Sequence, residues 1–202
     1  MMRILGIDPG LRCTGWGIIA VDGGRMQHIA NGAIQPKSTL DDATRLQIIF
    51  DGLCGVINLH QPEQAAIEQI FVAKSAGSAL RLGMARGVGI LACGVNRLGV
   101  GEISARAVKK AVAGTGTADK KQIQNMVTRL LAVTAQNADA ADALAIAIAA
   151  SNEAGTAASV GVELSQGQMS QGQMNQGQMG KGLSAAIAAA LARDDASNGG
   201  KT

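Results

Sequence analysis

The chain has 202 residues, enough for one sizeable domain and few for two, and its 47% of hydrophobic residues excludes wholesale disorder. The formal net charge of +3 is too small to identify a partner by itself. Three cysteines without a CxxC pair disfavour a disulfide framework and a zinc site. No uninterrupted apolar run reaches the roughly 20 residues of a membrane span. The N-terminus is typical of a strand rather than a secretory leader, so we expect a reduced, cytoplasmic protein without a membrane partner.

The first part of the chain is predicted to form three strands, a helix and a further strand. Short apolar runs over residues 3–8, 14–21 and 26–34, separated by Pro/Gly and Asp/Gly turns, predict three antiparallel strands. Apolar residues at helical spacing over 40–59 predict a helix. Residues 64–68 then favour a buried strand that ends on a carboxylate.

The second part is predicted to be mostly helical. A stretch rich in Ala, Gly and Leu over residues 76–98 predicts a long helix whose small residues suit close packing, in the core or across a dimer interface. A short strand and three helices follow, over 100–104, 105–112, 119–131 and 138–150. Strands that alternate with helices in this way predict a mixed α/β fold, with a sheet covered by helices.

The composition changes after residue 151. Residues 165–179 contain three copies of a five-residue repeat (SQGQM, SQGQM, NQGQM) that has no charge and little apolar content. Such a segment cannot bury enough apolar surface to build a core. We therefore predict a folded domain over 1–152 and a low-complexity, disordered tail over 153–202.

Two carboxylates stand at the ends of predicted strands. Asp8 ends the first strand, and Glu68 ends the strand that follows the first helix. A carboxylate within an apolar run is costly unless it is paired or binds a metal. Either residue alone is explained as well by a turn Asp or an exposed Glu at a sheet edge, so the pair gains meaning only from what else converges there.

Two further carboxylates enter a predicted apolar helix. Asp139 and Asp142 are three residues apart, so they share one face of its first turn. Acidic residues are common at helix N-termini, where the dipole favours them. The remainder of this helix is wholly apolar, however, which makes two buried acids costly without a cation. Four carboxylates without a histidine cluster favour a hard ion such as Mg²⁺ or Mn²⁺.

Basic residues are concentrated in the middle of the chain. Residues 69–121 carry nine Lys or Arg and only two acidic residues, a local charge of +7 against −4 elsewhere. This asymmetry suits a polyanion bound across one region, although solvated helix faces produce similar clusters.

Other enzyme classes find little support. Neither His28 nor His60 has a serine or cysteine partner at motif spacing, so a hydrolase triad is disfavoured. Residues 114–120 (GTGTADK) lack the GK[ST] ending of a Walker motif, so we assign no nucleotide site there.

Several spaced motifs resemble the bacterial crossover-junction endodeoxyribonucleases, the RuvC family. They occur in family order and cover about residues 2–150. The matching segments are 4–10 (ILGIDPG), 66–71 (AIEQIF), 74–80 (KSAGSAL), 83–88 (GMARGV), 113–116 (AGTG) and 138–146 (ADAADALAI).

The resemblance implies a ribonuclease H-like homodimer that resolves Holliday junctions by paired symmetric cuts. Its catalytic and metal-binding residues would be Asp8, Glu68, Asp139 and Asp142, around two Mg²⁺ ions for which Mn²⁺ substitutes. A histidine can replace Asp139 in the wider family, so the exact role of Asp139 stays open. Hydrolysis assisted by two metals would leave 5′-phosphate and 3′-hydroxyl ends.

The resemblance also implies contacts with four-way junction DNA. Phe71 would stack on bases near the crossover, and basic side chains would neutralise phosphates. The implied basic contacts are Lys74, Arg81, Lys109 and Lys120; Arg86 is a further candidate for DNA or for the dimer. A branch-migration complex of RuvA and RuvB is the implied protein partner.

Two alternatives compete with this interpretation. A nucleotide-dependent enzyme of the actin and sugar-kinase class also opens on a strand ending in Asp, but it needs a second phosphate loop and a longer chain. A DNA-binding module without catalysis would require a lost carboxylate, and all four are present.

Overall fold

A computed structural model describes residues 1–69 and 76–159. The chain forms five strands and five helices over the described residues. In chain order these are β1 Met2–Asp8, β2 Thr14–Asp22, β3 Arg25–Ile34, α1 Asp42–His60, β4 Gln64–Glu68, α2 Ala76–Val95, β5 Val100–Ile103, α3 Ala105–Ala113, α4 Lys120–Leu131 and α5 Ala138–Ser159. The mixed α/β prediction is confirmed, and α5 continues to Ser159 where the sequence predicted an end at residue 150.

The five strands form one sheet in the order β3-β2-β1-β4-β5. β1 to β3 form the predicted antiparallel meander, whereas β4 pairs parallel to β1, and β5 pairs parallel to β4. Parallel neighbours end at the same edge of a sheet. The C-terminal ends of β1, β4 and β5 therefore meet there.

Helices cover both faces of the sheet. Side chains alternate between the faces along each strand, so Ile4 packs with the α3, α4 and α5 layer while Leu5 packs with α1 and α2. The core is built from aliphatic residues, as the shortage of aromatics requires. Of the three free cysteines, Cys93 is buried and the other two are half-buried.

Helix α5 lies against the sheet at glycine positions. A Cβ atom at Gly6 would overlap the carbonyl oxygen of Ala143, and one at Gly15 would overlap the carbonyl oxygen of Asp139. Glycine is required at both positions because backbone atoms of the helix occupy the space of a side chain. Gly15 therefore sets how closely the first turn of α5 approaches β2.

Candidate active site

Two of the predicted site residues come from adjacent parallel strands. Asp8 is the last residue of β1, and Glu68 is the last residue of β4. The register pairs Ile7 with Ile67, so the next residue on each strand is one of the two acids. This pairing brings two carboxylates that are 60 positions apart in the sequence to one edge of the sheet.

The other two acids are placed by the start of α5. Asn137 precedes the helix, and its Oδ1 accepts a hydrogen bond of 2.8 Å from the backbone N–H of Ala140. Oδ1 of Asn31, on β3, accepts a bond of 2.8 Å from the backbone N–H of Gln136. The first bond caps the start of α5, and the second attaches the segment before it to the sheet. Together they fix the position of the helix turn that carries Asp139 and Asp142. Neither asparagine lies in a sequence pattern that predicts a site.

Three carboxylates converge closely enough to share a cation. Asp8, Asp139 and Asp142 each offer one oxygen, and these oxygens all lie within 4.8 Å of one another. We call these three residues the acidic cluster. Glu68 lies beside it, in the wall of a cleft of about 230 Å³ that Asp8 and Asp142 also line. The structure thus brings all four predicted acids together, with Glu68 outside the tightest group.

The site disfavours ionised carboxylates. Burial, and then the charges of Asp142, Glu68 and Asp139, raise the pKa of Asp8 to about 7. Burial is also the largest cause that raises the pKa of Glu68 and of Asp142. A divalent cation would reverse this penalty, since it favours the charged form of each ligand. The oxygen donors and their half-buried setting fit a hard ion such as Mg²⁺.

Two lysines border the cleft. The Nζ of Lys120 forms an ion pair of 2.5 Å with Oδ2 of Asp142, and this bond is the largest cause that raises the pKa of Lys120. Lys109 lines the cleft, and its charge opposes the rise in the pKa of Glu68. Asp119 caps α4 through a capping box and so holds Lys120 at the helix start. Two of the predicted basic residues, Lys109 and Lys120, therefore lie beside the acids.

The remaining predicted DNA contacts have different outcomes. Phe71 and Lys74 lie outside the described residues. Arg81 is exposed on α2 and lines a second groove, which Asp139 also lines. Arg86 contacts its own chain: its Nε donates to the Glu68 carbonyl at 3.2 Å, and its guanidinium pairs with Glu102 at 2.7 Å. Arg86 therefore supports the end of β4.

One thiol touches the acidic cluster. Cys13 is half-buried in the loop after β1, and burial together with a hydrogen bond from its thiol to the Asp139 carboxylate raises the pKa of Cys13. The amide of Gln35 donates to Cys13 Sγ at 3.4 Å. No spacing motif in the sequence predicts this contact, because it depends on how β2 and α5 pack.

Comparison with known proteins supplies relatives of the whole folded region. The sequence model of the family described as "Crossover junction endodeoxyribonuclease RuvC" matches residues 4–150. A protein of that name from Caulobacter sp. (strain K31) is 50% identical over 152 residues, 75% of this chain and 90% of the relative. Its namesake from Zymomonas mobilis subsp. mobilis is 51% identical over 148 residues, 73% of this chain and 89% of the relative.

Solved structures agree with these sequence matches. The structure titled "T. thermophilus RuvC in complex with Holliday junction substrate" has a TM-score of 0.72 at 28% identity, covering 76% of this chain and 95% of that chain. The yeast mitochondrial Holliday junction resolvase Ydc2 has a TM-score of 0.54 at 11% identity, over 73% of this chain and 78% of that chain. The second likeness concerns the fold alone.

Proposed function

The chain belongs to the RuvC family of crossover junction endodeoxyribonucleases, and we propose that its acidic cluster and Glu68 form the metal centre that cuts Holliday junctions. The fold is accordingly ribonuclease H-like, and the reaction is phosphodiester hydrolysis in DNA recombination and repair. The convergence of three carboxylate oxygens within 4.8 Å, with a fourth acid in the same cleft, carries the assignment of the site.

The four carboxylates would hold two Mg²⁺ ions, and Mn²⁺ would substitute because it prefers the same oxygen ligands. When bound, such ions supply Lewis acidity for the attacking water and for the leaving oxygen. The water oxygen bonds to phosphorus and the bond from phosphorus to the 3′ oxygen breaks. The attacking water gives up one proton and the 3′ oxygen takes one, which leaves 5′-phosphate and 3′-hydroxyl ends.

Residues of the protein itself favour the binding of these two metal ions. Asp8, with a pKa of about 7, would release a proton as metal binds near neutral pH. Lys120 partly neutralises Asp142 in the metal-free protein, and its largely exposed side chain can turn to a DNA phosphate. Lys109 lies on the same wall and would do the same, whereas the contacts predicted for Phe71 and Lys74 stay predictions.

We also propose that the protein acts as a homodimer. One face of α2 exposes Leu80, Leu91 and Val95, and Gly83 and Gly87 on that face have open space beside them. An apolar stripe with small residues lets a second helix approach closely, and paired sites suit two symmetric cuts.

The length and mean hydropathy of α2 would also suit a membrane span, but Arg81 and Arg86 lie in it and it packs on the sheet.

Three finer proposals depend on family membership or on the sequence. The branch-migration proteins RuvA and RuvB are proposed as partners, and the cytoplasm as the location, on family membership. The division into a nuclease domain over 1–152 and a tail over 153–202 depends on the repeat composition of the tail.

Cleavage of a synthetic four-way junction tests the site. We expect paired symmetric nicks from the wild type with Mg²⁺, none with EDTA, and none from Asp8→Asn, which should still bind the junction. Asp22→Asn is the matched control, because Asp22 is exposed at the far end of β2. Nicking by Asp8→Asn at the wild-type rate would contradict the metal centre.

A further inference from the structure

A second groove lies on the other side of the acidic cluster. It has a volume of about 1100 Å³ and is bounded by the loop after β1, the segment after β3, and residues of α1 and α2. Three arginines line it: Arg12, Arg45 and Arg81. Among the described residues that line it, Asp139 is the one acidic residue. The groove is therefore cationic except where it meets the cluster.

Asp139 connects this arginine groove to the chemistry. Its carboxylate belongs to the acidic cluster, yet Asp139 lines the arginine groove and not the lysine-bordered cleft. Asp8 and Asp142 line the cleft with Lys109 and Lys120. Positive side chains thus border the cluster on two sides, and a phosphate held at the cluster would have basic surfaces on both flanks.

The arginines differ in how they are held. Arg45 donates to the Leu11 carbonyl at 3.1 Å and pairs with Asp42 at 3.4 Å, so it supports the loop that carries Arg12. Its Nε is buried and has no hydrogen-bond partner among the described residues. Arg12 and Arg81 are exposed, and neither forms an ion pair within the described part of the chain. Their charges are available to an anion.

The geometry points to the arginine groove as the track for the backbone of the cleaved strand, on the flank of the cut opposite Lys109 and Lys120. This inference rests on the proposed function and adds to it a binding site for consecutive DNA phosphates. Arg12 and Arg81 contact phosphates directly, since guanidinium groups pair well with phosphate oxygens. Arg45 is a positioning residue for the loop beside them.

Salt dependence of binding tests the direct contacts. Junction affinity is measured with Mg²⁺ over a series of salt concentrations in the Asp8→Asn protein, which the proposed function predicts to bind without cutting. For the proposed dimer on one junction, adding Arg12→Gln and Arg81→Gln together should reduce the steepness with which log K falls with log salt by about 4, about one for each phosphate contact in the two protomers. The weakening should be the same for junctions of different sequence. Each single change removes one contact from each protomer and should reduce that steepness by about 2, which also covers the case in which the double variant does not fold.

Arg25→Gln with Arg97→Gln is the matched control. Both arginines are exposed at the end of the sheet away from Asp8, so their removal changes net charge equally without touching the groove. A slope that falls equally in the control and the groove variant would overturn the proposal, as would an unchanged slope in the groove variant.

Uncharged methylphosphonates locate the contact along the strand. Methylphosphonates on the flank of the strand that lies in the groove should abolish the difference in junction affinity between the Asp8→Asn protein and the same protein with Arg12→Gln and Arg81→Gln. Methylphosphonates on the other flank should leave that difference unchanged. If neither flank abolishes it, the groove does not hold the cleaved strand. Wild-type cleavage, assayed in parallel, separates the two claims: failure to nick removes the proposed function, whereas nicking with an unchanged slope removes only the groove.

Discussion

Two long apolar helices, α2 and α5, differ in how far the rest of the chain buries them. α2 and α5 are both rich in Ala and contain few charged residues. In α5, the residues from 143 to 149 are all buried, and the helix packs against the sheet. In α2 the buried residues are Ala85, Gly89, Ala92 and Cys93, while Leu80, Leu91 and Val95 are mostly exposed.

The difference comes from the surfaces that receive each helix. β1 and β2 carry Gly6 and Gly15 where α5 crosses, so the sheet itself makes room for that helix. The small residues of α2 are its own, and Gly83 and Gly87 face open space. Small residues therefore indicate that close approach is possible, and the partner must be found elsewhere: within the chain for α5, and by our proposal in a second copy for α2.

Gly15→Ala should have the largest effect on this contrast. The added Cβ would meet the carbonyl oxygen of Asp139, a backbone atom that cannot move without the helix. We expect the free energy of unfolding to fall by about 3 kcal/mol or more, with loss of junction cleavage because Asp139 shifts. Urea unfolding and the cleavage assay measure the two effects.

Gly101→Ala is the control for that change. Gly101 is also a strand glycine, but its Cβ would have only an ordinary contact of 3.9 Å with the Ala65 carbonyl oxygen. Its unfolding free energy should change by less than about 1 kcal/mol. Equal destabilisation by both changes would mean that α5 does not depend on a close approach at Gly15.

Asp8→Asn should stabilise the metal-free protein at high pH. The pKa of Asp8 in the folded state, about 7, lies above its ordinary value of 3.8, so the folded protein binds this proton more tightly than the unfolded chain. The stability that this proton confers is fully present below pH 3.8 and is lost as pH rises through 7. In EDTA at pH 8 the variant should therefore exceed wild type by up to about 4 kcal/mol, with the gap closing towards pH 4.

Added Mg²⁺ should reverse the ranking. Wild type gains stability because the ion binds only the folded state, and the variant gains less. Thermal unfolding at pH 8 with and without Mg²⁺ checks this. If the variant is no more stable than wild type in EDTA at pH 8, ionisation of Asp8 does not lower the free energy of unfolding, and the prediction is wrong.

Leu91→Lys should separate the dimer without unfolding the protomer. Leu91 is 55% exposed and lies in the apolar stripe of α2, so a lysine there would put a charge into the proposed interface. We expect light scattering to show a monomer. The substitution should change the unfolding free energy of the protomer itself by no more than about 0.5 kcal/mol, as is usual for a surface residue. Leu59→Lys on α1, at a residue that is 76% exposed, is the control and should remain dimeric. A Leu91→Lys dimer would place the interface elsewhere.

The contrast also shows what the sequence could predict. The sequence predicted both helices, α2 from a stretch rich in Ala, Gly and Leu. Carboxylates at strand ends and in an apolar first turn pointed to Asp8, Glu68, Asp139 and Asp142. The register that sets Ile7 beside Ile67 decides whether those acids meet, and it depends on pairing between distant strands.

Other features depend wholly on tertiary packing. The contact between Cys13 and Asp139, and the ion pair between Arg86 and Glu102, join residues far apart in the sequence. Neither is marked by a motif, because a single side chain of ordinary type has many possible partners. The arginine groove has the same origin, since its lining residues come from several elements.

Gly83→Ala should have the smallest effect of these changes. It distinguishes packing of α2 within its own chain from the proposed contact of α2 with a second copy. Nothing lies within 4 Å of a Cβ at this position, whereas a Cβ at Gly89 in the same helix would lie 3.3 Å from Ile67 Cδ1. In a monomeric Leu91→Lys background, Gly83→Ala should therefore raise the unfolding free energy by up to about 1 kcal/mol through helix propensity. Gly89→Ala should gain less or lose stability, because Ile67 must yield. In the wild-type background, Gly83→Ala should instead weaken association, since the methyl group keeps a second helix away. Destabilisation of the monomer by Gly83→Ala would mean that this glycine packs within the chain, as Gly15 does against α5.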